Sequence, residues 1–308
     1  MDGHIDTFNL TNNVVAGRHD LVTGGIEYER ESFTQSFSSP SFSTPRTTDR
    51  QSSLAVFGQD RLSLLQDRLQ LLAAVRTEGF AIRNPQSVPG ISDVPVKRAL
   101  TGDASISYLF RGPDTKLRAH VGNSFRAPSL SERFTDFEGR RIGNPFLRPE
   151  RGISVDGGVD QTLFRNKLRL SATYFYDRLQ QVIVSTELFK QTNSLGALSR
   201  GLETSLSAAP GWGLSMTAAY TFTNSAQALP DATLRSDDVL LPAGTLVQSF
   251  SIPRHLFSFD VNKAIKRGFN LNFGVYSTSG HNFTLFDPLF FSQVLFGFRG
   301  YTTLALGG

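Results

Sequence analysis

Arg165-Asn166-Lys167-Leu168-Arg169-Leu170-Ser171-Ala172-Thr173-Tyr174-Phe175-Tyr176 opens on a two-residue turn signal and then alternates. Leu168, Leu170, Ala172, Tyr174 and Tyr176 fall on one side of an extended strand. Lys167, Arg169, Ser171 and Thr173 fall on the other. Leu214–Phe222 repeats the pattern, with Leu214, Met216, Ala218, Tyr220 and Phe222 opposite Ser215, Thr217, Ala219 and Thr221. Leu117, Ala119 and Val121 likewise oppose Lys116, Arg118 and His120, and Phe269, Leu271, Phe273 and Val275 oppose Asn270, Asn272 and Gly274. Charged and hydroxyl residues at every second position suit a wet or polar-filled lumen behind an apolar outer face.

Outward from these strands the chain keeps a rhythm. Tight-turn signals stand at Gly17–Asp20, Leu65–Arg68, Gly112–Thr115, Arg165–Asn166, Pro210–Gly213 and Lys266–Gly268, rich in Gly, Asp, Asn, Pro and Arg. Between them lie longer stretches, most of them polar, near 35–50, 82–97, 127–149, 186–198, 225–250 and 281–293. Short and long connections alternate strictly. Antiparallel strands crossing an outer membrane turn tightly on the periplasmic side and loosely outside, whereas a soluble sandwich has no reason to sort its connections. Phe110, Phe164, Trp212 and Phe269 stand beside the short turns, where a periplasmic aromatic girdle belongs. Arg61–Val75 could pass for a leucine-rich helix, but Gln66-Asp67-Arg68 interrupts it and Leu69, Leu71, Ala73 and Val75 keep a period of two, so it reads as a hairpin.

The predicted fold is all-β: an antiparallel transmembrane β-barrel wall of roughly thirteen strands, with long extracellular loops and short periplasmic turns. Composition agrees and narrows the function. Among 308 residues 39% are hydrophobic, 19% are charged and 26 are phenylalanine. No run approaches the ~18–20 apolar residues of a membrane-crossing helix. The net charge of +4 is scattered rather than gathered in a basic face, which argues against nucleic acid. There is no cysteine, hence no disulfide frame and no Cys-based zinc site. His4, His19, His120, His255 and His281 show no ligand spacing, and no nucleophile elbow or phosphate loop occurs, so no catalytic, cofactor-binding or metal residue is assigned. Asp231, Asp237 and Asp238 fall in a long loop and read as solvated surface. Met1-Asp2-Gly3-His4-Ile5 lacks the basic start and apolar run of a signal peptide.

One region is more specific. Lys116 to Phe134 runs into Gly122-Asn123-Ser124-Phe125-Arg126-Ala127-Pro128-Ser129-Leu130-Ser131-Glu132, and Gly143-Asn144-Pro145-Phe146-Leu147-Arg148-Pro149-Glu150 follows. This pair of motifs, in this order and separation, resembles the barrel of TonB-dependent receptors. Ser53–Asp60, Leu69–Arg76, Arg200-Gly201-Leu202-Glu203 and Phe298–Leu304 resemble further strand openings of that family, Phe298 marking the start of a late strand.

The resemblance implies a partial barrel domain over 1–308, about thirteen strands of an expected 22, with a signal peptide, a TonB-contacting segment, a plug domain and the final strands outside it. It implies an outer-membrane transporter for a scarce nutrient (ferric siderophore, cobalamin or oligosaccharide), with lipid, the TonB energy-coupling complex and a small-molecule substrate such as a metal chelate as partners. Phe125, Arg126, Pro128, Glu132, Gly143, Asn144, Pro145, Pro149 and Glu150 are assigned to the architecture of the barrel rim. Pro128 and Pro149 mark strand ends, and Arg126 is placed to pair with Glu132 or Glu150. A passive porin or adhesin, and a soluble β-rich binding module, are the alternatives.

Overall fold

A computed structural model of the chain describes residues 1–308 except 40–41, 91–92, 95, 97, 138–139, 187–189, 230–233, 237–238, 266–267 and 288–291. Thirteen strands follow one another in a single antiparallel path. They are β1 (Asp2–Ala16), β2 (Asp20–Gln35), β3 (Thr47–Leu64), β4 (Leu69–Arg83), β5 (Ala99–Phe110), β6 (Thr115–Arg126) and β7 (Glu150–Leu163). The path continues through β8 (Leu168–Gln180), β9 (Gly196–Gly211), β10 (Leu214–Ala228), β11 (His255–Ala264), β12 (Asn270–Thr278) and β13 (Tyr301–Gly307). Each strand pairs with its neighbours in sequence, so the wall is built from successive hairpins.

The register sorts side chains into two faces. One outward row runs Leu170, Leu206, Ala218, Phe259, Val275 and Leu304 across six strands. The adjacent inward row reads Ser171, Ser205, Ala219, Ser258, Tyr276 and Thr303. Large apolar side chains on the outer face stay exposed, Tyr174 at 53% and Leu117 at 48%, as suits a face turned to lipid. Trp212 and Phe222, both exposed, lie ten positions apart along β10 and its preceding turn. Ten residues extend about 33 Å, or about 25 Å when the strand is tilted by about 40°, the height of a barrel's apolar band.

Trp212 and Gly213, at φ 53° and 70°, form the two-residue turn of the β9–β10 hairpin. Pro210 and Gly211 belong to the strand before it, where the pairing with β10 shifts between Ala208 and Gly211. A proline has no N–H for the ladder and is accommodated at such an irregularity. Thr115 likewise opens β6, and Asp20 opens β2. Of the predicted Lys266–Gly268 turn, residues 266 and 267 lie outside the described residues. Gly201 has a steric reason for being glycine: a Cβ there would come 2.7 Å from the ring of Phe175 and 1.9 Å from the carbonyl oxygen of Phe222.

The long connections are more ordered than their polar composition suggests. Those on either side of the β11–β12 hairpin carry short strands joined in a four-stranded sheet. In it, His281–Asp287 pairs with Ser292–Phe298 in the same register as β12 with β13. Phe298 is therefore the end of a loop hairpin, and the late strand begins at Tyr301. Between β6 and β7 lies α1 (Leu130–Phe134), one helical turn in a stretch read from sequence only as a loop. It packs against β2 and β3, and its Leu130 and Phe134 join Phe33, Ile82, Val88 and Val94 in a small buried core. Phe33 and Ile82 belong to the inward rows of β2 and β4, so the helix covers the lumen side of the wall at its long-loop end.

Candidate functional site

The end of β6 and the start of β7 bring Arg126 and Glu150 together as cross-strand partners on the inward face. Arg126 Nε donates to Glu150 Oε2 at 2.7 Å. The same guanidinium donates through Nη1 and Nη2 to Glu132, at 3.0–3.1 Å. One planar fork thus holds two carboxylates from opposite ends of the connection, which an ammonium could not do.

Glu132 serves twice. Ser129 is the N-cap of α1, its hydroxyl accepting from Glu132 N at 3.2 Å while Glu132 Oε2 accepts from Ser129 N at 2.8 Å. This reciprocal box satisfies two otherwise orphaned donors. Pro128, fully buried, ends β6 just before it.

The second motif wraps the C-terminal side of the helix. Gly143 N donates to Thr135 O and Asn144 N to Glu132 O, 2.9 and 3.0 Å. A Cβ on Gly143 would meet the backbone of Arg133 and Phe134 at 2.6–2.7 Å, so no other residue fits without moving the helix. Asn144 turns the chain by accepting from Phe146 N and donating to Gln191 O. The carbonyl of Pro145 accepts from Arg133. Arg148 and Asn193 exchange hydrogen bonds at 2.8 Å, and Glu150 Oε1 accepts from Ile183 N at 2.6 Å. The motif therefore also fastens the next long connection, whose short strands are Ile183–Ser185 and Gln191–Asn193.

Of the predicted rim residues, Arg126, Glu132 and Glu150 form one ion-paired cluster, and Gly143, Asn144 and Pro145 form the turn against α1. Phe125 stands apart, its ring stacked on Phe80 at 5.7 Å, and Pro149 only precedes β7. Arg133 was not singled out from sequence and is the least satisfied group of the region. It is fully buried, and its Nε and Nη2 have no hydrogen-bond partner among the described residues. Burial pushes its guanidinium down to about 10, with the neighbouring Glu132 acting the other way.

Under the helix, sequence reading also missed a set of polar residues from distant strands. Gln35 donates to Phe134 O at 2.6 Å and accepts from Asp136 N at 2.9 Å. Buried Asp49 accepts from Ser87 N at 3.1 Å and from its hydroxyl. Gln35 and Asp49 carry no local motif; only the docking of α1 links them.

Deeper along the inner face, His120 lies between two carboxylates: Nε2 is 2.5 Å from Asp103 and Nδ1 is 2.8 Å from Asp156. Arg118 reaches Asp156 and Asp160 at 3.7 and 3.3 Å. Arg76 similarly pairs with Glu27 and Glu78. These ladders put most of their charge in internal pairs. Among the described residues no group of three or more His, Asp or Glu side chains is arranged to hold a metal ion. Asp231, Asp237 and Asp238 lie outside the described residues.

Over residues 2–307 the sequence matches the family described as TonB dependent receptor-like, beta-barrel. No curated protein matches it. Among solved structures, the copper transporter OprC superposes with a TM-score of 0.73 at 16% identity, over 99% of this chain and 47% of that one. The ferric-catecholate import receptor Fiu from K12 E. coli gives 0.66 at 13% identity, over 98% and 47%. The ferric yersiniabactin uptake receptor FyuA from Yersinia pestis gives 0.65 at 17% identity, over 99% and 46%. The chain thus spans about half the length of the structures it resembles, and at these identities the likeness is one of fold. The match across nearly all of its residues, together with the polar-in, apolar-out wall, makes this chain a member of the TonB-dependent receptor β-barrel family, whose barrels lie in the outer membrane.

Proposed function

We propose that the chain supplies wall and extracellular rim to an active-transport receptor that takes up a scarce nutrient using energy delivered through TonB. The observation that carries this reading is the family match over residues 2–307. The plug, the remaining strands and the segment that contacts the TonB complex belong to sequence outside these residues, a division supported by the 46–47% coverage of the neighbouring structures. The substrate is a small metal chelate such as a ferric siderophore. Two neighbours are named for ferric catecholate and ferric yersiniabactin, which favours a ferric chelate over cobalamin or an oligosaccharide, and a third is named for copper.

In this reading the nine rim residues are architectural. Arg126, Glu132 and Glu150 clip the 127–149 connection to the wall, and the Gly143–Pro145 turn holds α1 in place, leaving substrate to other surfaces of the loops. The outer face meets membrane lipid. The test is uptake of labelled metal chelates by cells producing the full-length receptor, with and without TonB and with a protonophore. Uptake lost in both treatments, with surface binding retained, is the expected result. Uptake that persists without TonB would mean a passive pore.

A further inference from the structure

We infer that the outer face of β3–β7 carries a binding groove for an amine-headed phospholipid of the periplasmic leaflet. This goes beyond the transport reading and rests only on the wall facing lipid. Ala73, Ala104 and Ala119 form the floor of a groove of about 660 Å³, and Leu62, Leu71, Ile106, Val121 and Val155 form its sides. The volume is that of a small-molecule cleft, and the walls suit an acyl chain.

The groove has a direction. Its rows are Leu62, Leu71, Ile106 and Ala119, and Asp60, Ala73, Ala104, Val121 and Val155. At one end, Val22, the β2 partner of Asp60, is three positions past the turn residue His19. At the other end Val155 is nine positions from the turn at Phe164. Following the strand stagger, the groove therefore climbs from the periplasmic margin toward the middle of the membrane, the path of a phospholipid tail.

Its low end is acidic. Asp60 lines the groove, and Asp20 is its diagonal neighbour on the same face, paired with Leu62. Asp20 and Asp60 lie within hydrogen-bonding reach of each other, so the two carboxyl groups sit side by side on this face. Two ionised carboxylates side by side repel each other unless a proton or a counter-charge lies between them. A primary ammonium at headgroup depth supplies three donors and the matching sign, while an anionic headgroup would be repelled.

The experiment uses the full-length receptor, purified in mild detergent, stripped of lipid and titrated with phosphatidylethanolamine and phosphatidylglycerol of identical acyl chains, read by native mass spectrometry. The amine lipid is expected to bind about three- to tenfold more tightly, the scale of a partly exposed ion pair. Asp20→Asn with Asp60→Asn should equalise the two lipids. Ala104→Leu, which fills the floor without touching the charges, should weaken both and keep their ratio. Heat-modifiable migration of each variant identifies the folded barrel, and Asp60→Asn alone serves if the double variant fails to fold. Equal binding of both lipids to the unaltered protein would overturn the inference, as would a preference that survives loss of the carboxylates. Binding unchanged by Ala104→Leu would place the lipid elsewhere.

Discussion

Arg126 donates to two carboxylates that the sequence holds 18 residues apart, and its planar guanidinium is what permits this. Arg126→Lys keeps the charge but loses the fork. Because Arg126 is half exposed, the expected cost is only about 1 kcal/mol, read as faster hydrogen exchange at residues 128–136 with the wall unchanged. Exchange identical to the unaltered protein would rule the clip out as a fastening. Arg133 makes the opposite case. Its folded-state value lies below that of an unfolded arginine, so the native state binds the proton less tightly and stability rises with pH only above about 10. At neutral pH the charge is a cost. Arg133→Met is therefore expected to leave the loop as stable or more so, and to remove any strengthening of the loop above pH 10, both followed by limited proteolysis across pH. Earlier cleavage of the variant at neutral pH would show that the bond to Pro145 matters more than the charge.

At the scale of elements, strands were far easier to read than the helix. Lys167–Tyr176 and Leu69–Val75 reveal their faces by alternation alone, because a wall between lipid and a polar interior demands it at every second residue. The hairpin reading of Arg61–Val75 holds: β3 and β4 pair from Leu64 with Leu69 onward. The five residues of α1 are too few to show a period, and what holds them is tertiary: a capping box, a buried Leu130 and Phe134, and partners on β2 and β3. The rim motifs were legible because they are local and paired. Gln35, Asp49 and Ser87 were not, since their partners lie 38 to 101 residues away. Phe134→Ala, which empties a fully buried site, is expected to cost about 3–5 kcal/mol of docking energy. Exchange should then rise together in α1 and in the Val88–Val94 connection. A rise confined to α1 would mean that the small core is not cooperative.

At the scale of the whole molecule, the two faces of the wall should respond differently to one charge. Ala218 faces outward and Ala219 inward, midway between Trp212 and Phe222, the span that matches the apolar band. Ala218→Arg is expected to cost about 2–4 kcal/mol in refolding into lipid vesicles, the penalty for a cation near the bilayer midplane. Ala219→Arg should cost about 1 kcal/mol or less, having reached a polar interior. Equal penalties would contradict the assignment of faces. The alternation of short turns and long connections foretold this architecture. It did not foretell that the long-loop end folds back over the inner face, which no strand-by-strand pattern encodes.

That fold-back has a kinetic meaning. Every wall contact joins strands adjacent in sequence, so hairpins can zip in chain order with small loop-closure costs. The bond from Gln35 to Phe134 instead spans 99 residues and needs β2 through β6 in place before it can form. Assembly is therefore expected to divide into a sequential phase that raises the wall and a later capture step that seats the cap, the second reporting that the first has kept its register.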